Sequence, residues 1–205
     1  LQDSRPVHPV ATSHDTGPAK VWRSETAGGG SRVFRGEPVQ SNPETEYVKV
    51  SPDGRRVAVT LQENNHIAII GIASRRVVSS FSAGTASVNG IDTANDGVIN
   101  PTGAITDVRR EPDSIGWVDN HRVATANEGD WKGGTRGTIF DSRSGKVVWD
   151  AGNSFELSAI ANGHWPESRA AKKGTEPEGL AIATYRGQRY AFVGSERGNF
   201  VNVYS

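Results

Sequence analysis

The chain has 205 residues, and Lys+Arg and Asp+Glu both total 23, so the formal net charge is zero. That balance excludes a nucleic-acid or anionic-membrane surface as the main partner, because such surfaces select a basic excess. The chain has no cysteine, which excludes disulfides and thiolate metal sites, and no apolar run approaches the ~18 residues that read as a membrane span.

With 24 glycines and 7% aromatic residues, the composition favours short strands and many turns over helices. There is no methionine either, so the sequence is expected to be a processed or partial product, secreted or extracytoplasmic, from which any signal peptide has gone.

Residues 1–30 are rich in Pro, Ser, Thr, His and Gly and read as an N-terminal arm or linker, with one short strand candidate at residues 20–23 and a Gly28-Gly29-Gly30 hinge. Residues 31–205 read as one domain that opens with a strand at 31–34. Its first full unit has strands at 47–50, 56–61, 66–72 and 76–81, with Ser51-Pro52-Asp53-Gly54 as a β-turn between the first two. The second unit has strands at 114–118, 122–126, 137–141 and 146–150. The third has strands at 179–185, 190–194 and 200–204, with no fourth.

These units repeat. Glu46, Glu111 and Glu176 are evenly spaced (111 − 46 = 65; 176 − 111 = 65), and a second acid follows each of them: Glu63, Glu128 and Glu196. Four-stranded antiparallel units in series predict an all-β fold, a β-propeller whose blades lie near 46–81, 111–150 and 176–205. A closed propeller has ~4 to 8 blades, so about three blades of a larger ring are expected here, with the remaining blades as a partner, possibly on a companion chain. A β-sandwich is the competing architecture.

The long connections, 82–110, 127–136 and 151–175, must all leave the same ends of alternating strands, which makes one face the functional one. The repeated acids fall on that face. So many carboxylates in one arc raise each other's pKa unless cations intervene. The candidate cations within the chain are Arg109, Arg110, Arg136, Lys172, Lys173 and Arg197. The external candidate is Ca²⁺, ahead of Mg²⁺.

Asp92 and Asp96, in Asp92-Thr93-Ala94-Asn95-Asp96-Gly97, alternate with Asn around a glycine as ion-binding turns do, and as ordinary solvated turns also do. The acids fit backbone anchors at strand ends equally well. His164 is an acid-base candidate or a ring packed beside Trp165. Arg110 fits either a phosphate or Glu111. Ser154 and Ser195 lack a nucleophile-elbow context.

Residues 31–205 resemble the secreted bacterial phytase-like propellers (esterase-like phytase) and the related choice-of-anchor propellers. The resemblance rests on Asn95-Asp96-Gly97-Val98-Ile99-Asn100, Arg110-Glu111-Pro112-Asp113, Ala124-Thr125-Ala126-Asn127-Glu128-Gly129-Asp130, Lys173-Gly174-Thr175-Glu176-Pro177-Glu178 and Phe192-Val193-Gly194-Ser195-Glu196. At Glu44-Thr45-Glu46 the chain departs from the Glu-Pro-Glu pattern.

The resemblance implies an exported hydrolase of phosphate esters. Asp92, Asp96, Glu111, Asp113, Glu128, Asp130, Glu176 and Glu178 would hold Ca²⁺. Arg110, Lys173 and Arg197 would grip phosphate, and Glu128 and His164 would serve in catalysis. A non-catalytic binding or scaffold propeller and a lactonase-like calcium propeller are the rival expectations.

Overall fold

Residues 45–129 and 136–205 are described by the computed structural model, without the side chain of Arg136. The arm expected over 1–30, the strands expected at 20–23 and 31–34, and Asp130 lie outside the described residues.

The first sheet holds β1 (Val48–Val50), β2 (Arg56–Leu61), β3 (His66–Gly71) and β4 (Arg76–Ser82), paired antiparallel in chain order. A hairpin follows, β5 (Thr85–Ile91) with β6 (Gly103–Arg109), which among the described residues pair with each other alone. The second sheet is β7 (Pro112–Trp117), β8 (Arg122–Asn127), β9 (Arg136–Asp141) and β10 (Val147–Asp150). Then come a helix, α1 (Ser154–Ala161), and a single 3₁₀ turn at Glu167–Arg169. The third sheet has three strands, β11 (Pro177–Tyr185), β12 (Gln188–Ser195) and β13 (Phe200–Tyr204).

The three sheets stack face to face in chain order. The first strand of the second sheet, β7, packs on β1 and β2, and β11 packs on β7 and β8. Successive antiparallel sheets whose first strands pack next to one another are an arc of a propeller, and the β-strands on facing sheets bury what alternation turns inward.

Between sheets one and two lie Ala58, Ile67, Ile69, Ile115, Trp117, Val123 and Phe140, each nearly or fully sealed from solvent. Burying an aliphatic or aromatic side chain contributes about 1.5–3 kcal/mol, so this seam is the main apolar store of the fold. Ala126, Phe155 and Val193 form the seam between sheets two and three, with Leu180, Phe200 and Tyr204 against it.

Polar bonds lock the first seam in register. The Thr60 hydroxyl on β2 donates to the Asp113 carbonyl on β7 at 2.6 Å, and the Trp117 indole N–H donates to the Lys49 carbonyl on β1 at 2.9 Å. Gly116 is required where β7 meets β11: a Cβ there would lie 2.8 Å from the Ile182 side chain.

Two expectations are corrected. The stretch 82–110, read as a connection, contains the β5–β6 hairpin, and 151–175 contains α1 and the 3₁₀ turn. Both insertions leave the ends of fourth strands.

Candidate functional site: an acidic arc at the strand ends

Each sheet opens with a β-bulge, and the extra residue is an acid. In the third sheet Pro177 pairs with Ser195 and Gly179 with Gly194, which leaves Glu178 as the inserted residue. In the second, Pro112 pairs with Asn127 and Ile115 with Thr125, so the register slips around Asp113. In the first, Glu46 N donates to the Thr60 carbonyl while Thr60 N donates to Tyr47, so two residues face one. A bulge re-aims one side chain out of the alternating pattern. Here it happens to Glu46, Asp113 and Glu178 at the same end of three neighbouring sheets.

Two residues past the bulge on the second strand of each sheet stand Gln62, Glu128 and Glu196. The even spacing in the sequence paired Glu46 with Glu111 and Glu63 with Glu128. The bulges correct this: Glu46 is equivalent to Asp113 and Glu178, and Gln62, not the exposed Glu63, is equivalent to Glu128.

Glu128, Glu176 and Glu196 bring one carboxylate oxygen each to within 4.8 Å of one another. The three are not alike. Glu176 is 1% exposed, and its Oε1 accepts from Arg169 Nε at 2.6 Å and from the other end of the same guanidinium. Its Oε2 faces Arg197 at 3.5 Å. Glu128 Oε1 accepts from Lys173 Nζ at 2.9 Å, and its Oε2 accepts from the side-chain amide of Gln62. Glu196 is exposed and pairs with Arg197 at 3.1 Å.

Asp113 is only 5% exposed, yet among the described residues no hydrogen bond reaches its carboxyl group. Burial, then the charges of Glu128, Glu178 and Glu46, push its pKa up to about 7, against the pull of Lys173. Burial, then Glu196 and Glu128, also raise Glu178, with Arg197 opposing. A buried carboxylate normally has hydrogen-bond partners. Asp113 instead lies in the field of other acids, with Lys173 as the opposing charge.

Glu111 and Glu176 share a second device. Both sit in the left-handed region, φ 46° and 51°, directly before a proline, and both are buried. A glutamate in that conformation costs free energy, because its Cβ crowds the carbonyl. The main chain of Glu111 is held by its N–H donating to Asn65 Oδ1 at 2.9 Å, and that of Glu176 by its carbonyl accepting from Glu196 N at 2.8 Å. These turns set the entry angle of β7 and β11, and so aim Asp113 and Glu178.

The structure separates several residues that the sequence grouped. Arg110 lies on Asp150, at 3.0 Å, and on the carbonyls of Ala83 and Thr85, where it ties the hairpin β5–β6 to β10. Its guanidinium is therefore neither on Glu111 nor in the arc.

Asp92 caps its own loop, its two oxygens accepting from Ala94 N and Asn100 N at 3.1 and 2.8 Å. Asp96 accepts from Val98 N, and the Asp96 and Gly97 N–H groups donate to Glu167. This Asp/Asn/Gly loop closes the β5–β6 hairpin and, among the described residues, joins no cluster of three potential ligands. His164 is exposed; its Nδ1 lies 2.7 Å from the Gly198 carbonyl and its ring tilts on Phe200, not on Trp165. Lys173 and Arg197 do reach the arc. Gln62 and Arg169 were missed by sequence reasoning, and only Gln62 had a signal, its place two residues past Thr60.

The choice-of-anchor I domain family matches residues 23–136 and 132–205, nearly the whole chain. Among solved structures, the β-propeller domain of Cps50 (Swd1) from Myceliophteria thermophila is similar over 78% of this chain and 50% of that one, at 12% identity and a TM-score of 0.24. The chain thus spans about half the length of that domain. No curated protein matches it.

Proposed function

The chain belongs to the choice-of-anchor I domain family, and from that premise we propose that it is the cation-binding part of an exported or cell-surface propeller protein, with Ca²⁺ as the cation. One observation carries this reading. Asp113, 5% exposed and with no hydrogen bond to its carboxyl among the described residues, lies in the field of Glu128, Glu178 and Glu46, which come from separate sheets. Carboxylate oxygens are hard ligands, and Ca²⁺ accepts 6–8 of them in flexible geometry, so the donor set fits. The family description, naming an anchor, supports a location outside the cytoplasm.

Asp113, Glu128, Glu178 and Glu196 supply the oxygens in this reading. Glu176, held on Arg169 and Arg197, orients the turn beneath them. A bound Ca²⁺ would neutralise the arc and polarise the oxygens of an anionic ligand. Calorimetry of Ca²⁺ added to chelator-treated protein tests this. A single site with a dissociation constant between about 10⁻⁷ and 10⁻³ M and a raised Tm are expected. Absence of both heat and Tm shift refutes it.

A second reading, hydrolysis of phosphate esters at the same cation, is favoured by Arg197. Half exposed at the edge of the arc, its guanidinium is positioned to meet phosphate oxygens. Aryl phosphate turnover that needs Ca²⁺ and is lost in Asp113→Asn supports this reading. Calcium binding without turnover, also with lactone substrates, leaves the binding domain as the function.

A further inference from the structure

Glu128 has a partner on each carboxylate oxygen, and one of these partners is a cation carried by the chain itself. Lys173 reaches it from the Lys172-Lys173-Gly174 turn, with Nζ 2.9 Å from Oε1. The same ammonium charge acts on Asp113. Lys173 therefore bonds one of the acids that the cation-binding reading needs and acts on the other through its charge, and its side chain is 19% exposed.

The turn that carries it is fixed at both ends. Ala170 is buried against Trp165, and the Thr175 carbonyl accepts from the Ser195 hydroxyl. Gly174 N donates to the Arg169 carbonyl at 3.1 Å. Between these anchors Ala171 and Lys172 are exposed, so the Lys173 side chain can withdraw without unfolding the turn.

We infer that Lys173 is an exchangeable counter-ion: it holds the arc together when no metal is present, and a divalent cation expels its ammonium group into solvent on binding. The inference rests on the cation-binding reading and adds its regulation. A metal ion takes carboxylate oxygens at 2.3–2.6 Å, so it needs the Oε1 that the ammonium now covers. Two cations on one carboxylate oxygen repel, and the divalent ion gains more from the surrounding acids than a single ammonium does. Gln62, being neutral, can stay on Oε2 throughout. The acids alone would not carry this. The second observation is Asp113, 95% out of solvent and without a hydrogen bond to its carboxyl among the described residues, which feels the charges of both Glu128 and Lys173.

The test is amine labelling with an acetylating reagent near pH 8, read by mass spectrometry, with and without Ca²⁺. Lys172, exposed on the same turn, is the internal control. Lys173 is expected to react several-fold slower than Lys172 without the ion, and to rise toward it when Ca²⁺ is added. Calorimetry on Lys173→Met should show about tenfold tighter Ca²⁺ binding, and Lys172→Met no change. If Ca²⁺ binds and the labelling of Lys173 stays low, the exchange is wrong while the cation site stands. If neither wild type nor Lys173→Met binds Ca²⁺, both ideas fall together. Binding by Lys173→Met alone overturns the exchange, because the wild-type ammonium then never yields to the ion, while the cation site stands.

Discussion

Gln62 donates its side-chain amide to the carboxylate of Glu128 across the seam between the first and second sheets, and the two residues hold the same position in their respective sheets. One sheet thus supplies a neutral donor where the next two supply an acid. The acidic arc is lopsided for that reason, with its charge concentrated at sheets two and three.

Gln62→Glu should turn that hydrogen bond into a repulsion. Like charges in a partly buried site, with a lost hydrogen bond, cost about 1–3 kcal/mol. Chelator-treated Gln62→Glu should unfold at lower denaturant than wild type, and Ca²⁺ should restore more stability to it than to wild type. Equilibrium urea unfolding with and without Ca²⁺ measures both.

Glu176 is 1% exposed and depends on Arg169 for its shortest contacts. Removing the cation from a buried pair leaves an uncompensated charge, at a cost of about 3–5 kcal/mol. Because Arg197 still faces Glu176, Arg169→Ala should lie at the low end of that range. Glu176→Gln should cost less, and the double variant should be closer to Glu176→Gln than to the sum. A double-mutant cycle by guanidinium unfolding gives the comparison.

Gly116→Ala tests the stacking of sheet three on sheet two. The added methyl meets Ile182 at 2.8 Å, and overpacking of this kind costs about 1–3 kcal/mol. Ile182→Val in the same chain should recover part of the loss. Recovery is the informative result, since it requires β7 and β11 to be in contact.

Stability should also depend on pH through two buried groups of opposite sign. Asp113 rises from 3.8 to about 7 on folding, so the folded chain keeps a proton that the unfolded chain releases. Its contribution is complete below about pH 4 and is lost as pH rises toward 7, on the order of 4 kcal/mol at most. His66, fully buried with Nε2 2.7 Å from the Ser80 hydroxyl, falls from 6.5 to about 4 because burial disfavours its charge. Its contribution is complete above about pH 6.5 and is lost as pH falls toward 4. The two oppose each other over most of that range. Asp113→Asn should therefore gain stability more steeply than wild type from pH 4 to 6.5, measured by thermal unfolding in chelator.

Much of this architecture could be read from the sequence, because alternation and turn residues mark it openly. Arg56–Leu61 and Phe200–Tyr204 fall where the apolar alternation puts them. The β5–β6 hairpin was hidden because residues 92–102 separate its strands, far more than a tight hairpin turn, and because Gly90 and Asn89 break the pattern. Helix α1 was hidden because its core contact is limited to Phe155, Glu156 and Ala159, and the whole of 151–175 read as a connection.

The site was legible as a set of acids on one face, and its pairing was not. A bulge adds a residue to one strand without any mark in the sequence, and so shifts the true equivalences away from equal spacing. That is why Glu46 belongs with Asp113 and Glu178. The partner of Arg110 was similarly invisible, because Asp150 lies 40 residues away on the outermost strand of its sheet.

The most direct measurement is a crystal structure of the protein grown with Ca²⁺. An ion at the bulged ends of β7 and β11, with oxygens of Asp113, Glu128, Glu178 and Glu196 at about 2.3–2.6 Å, is the expected result. An ion held instead by the Asp92–Asn100 loop, or carboxylates of the arc that stay on Lys173 and Arg197 with no ion among them, would contradict the account.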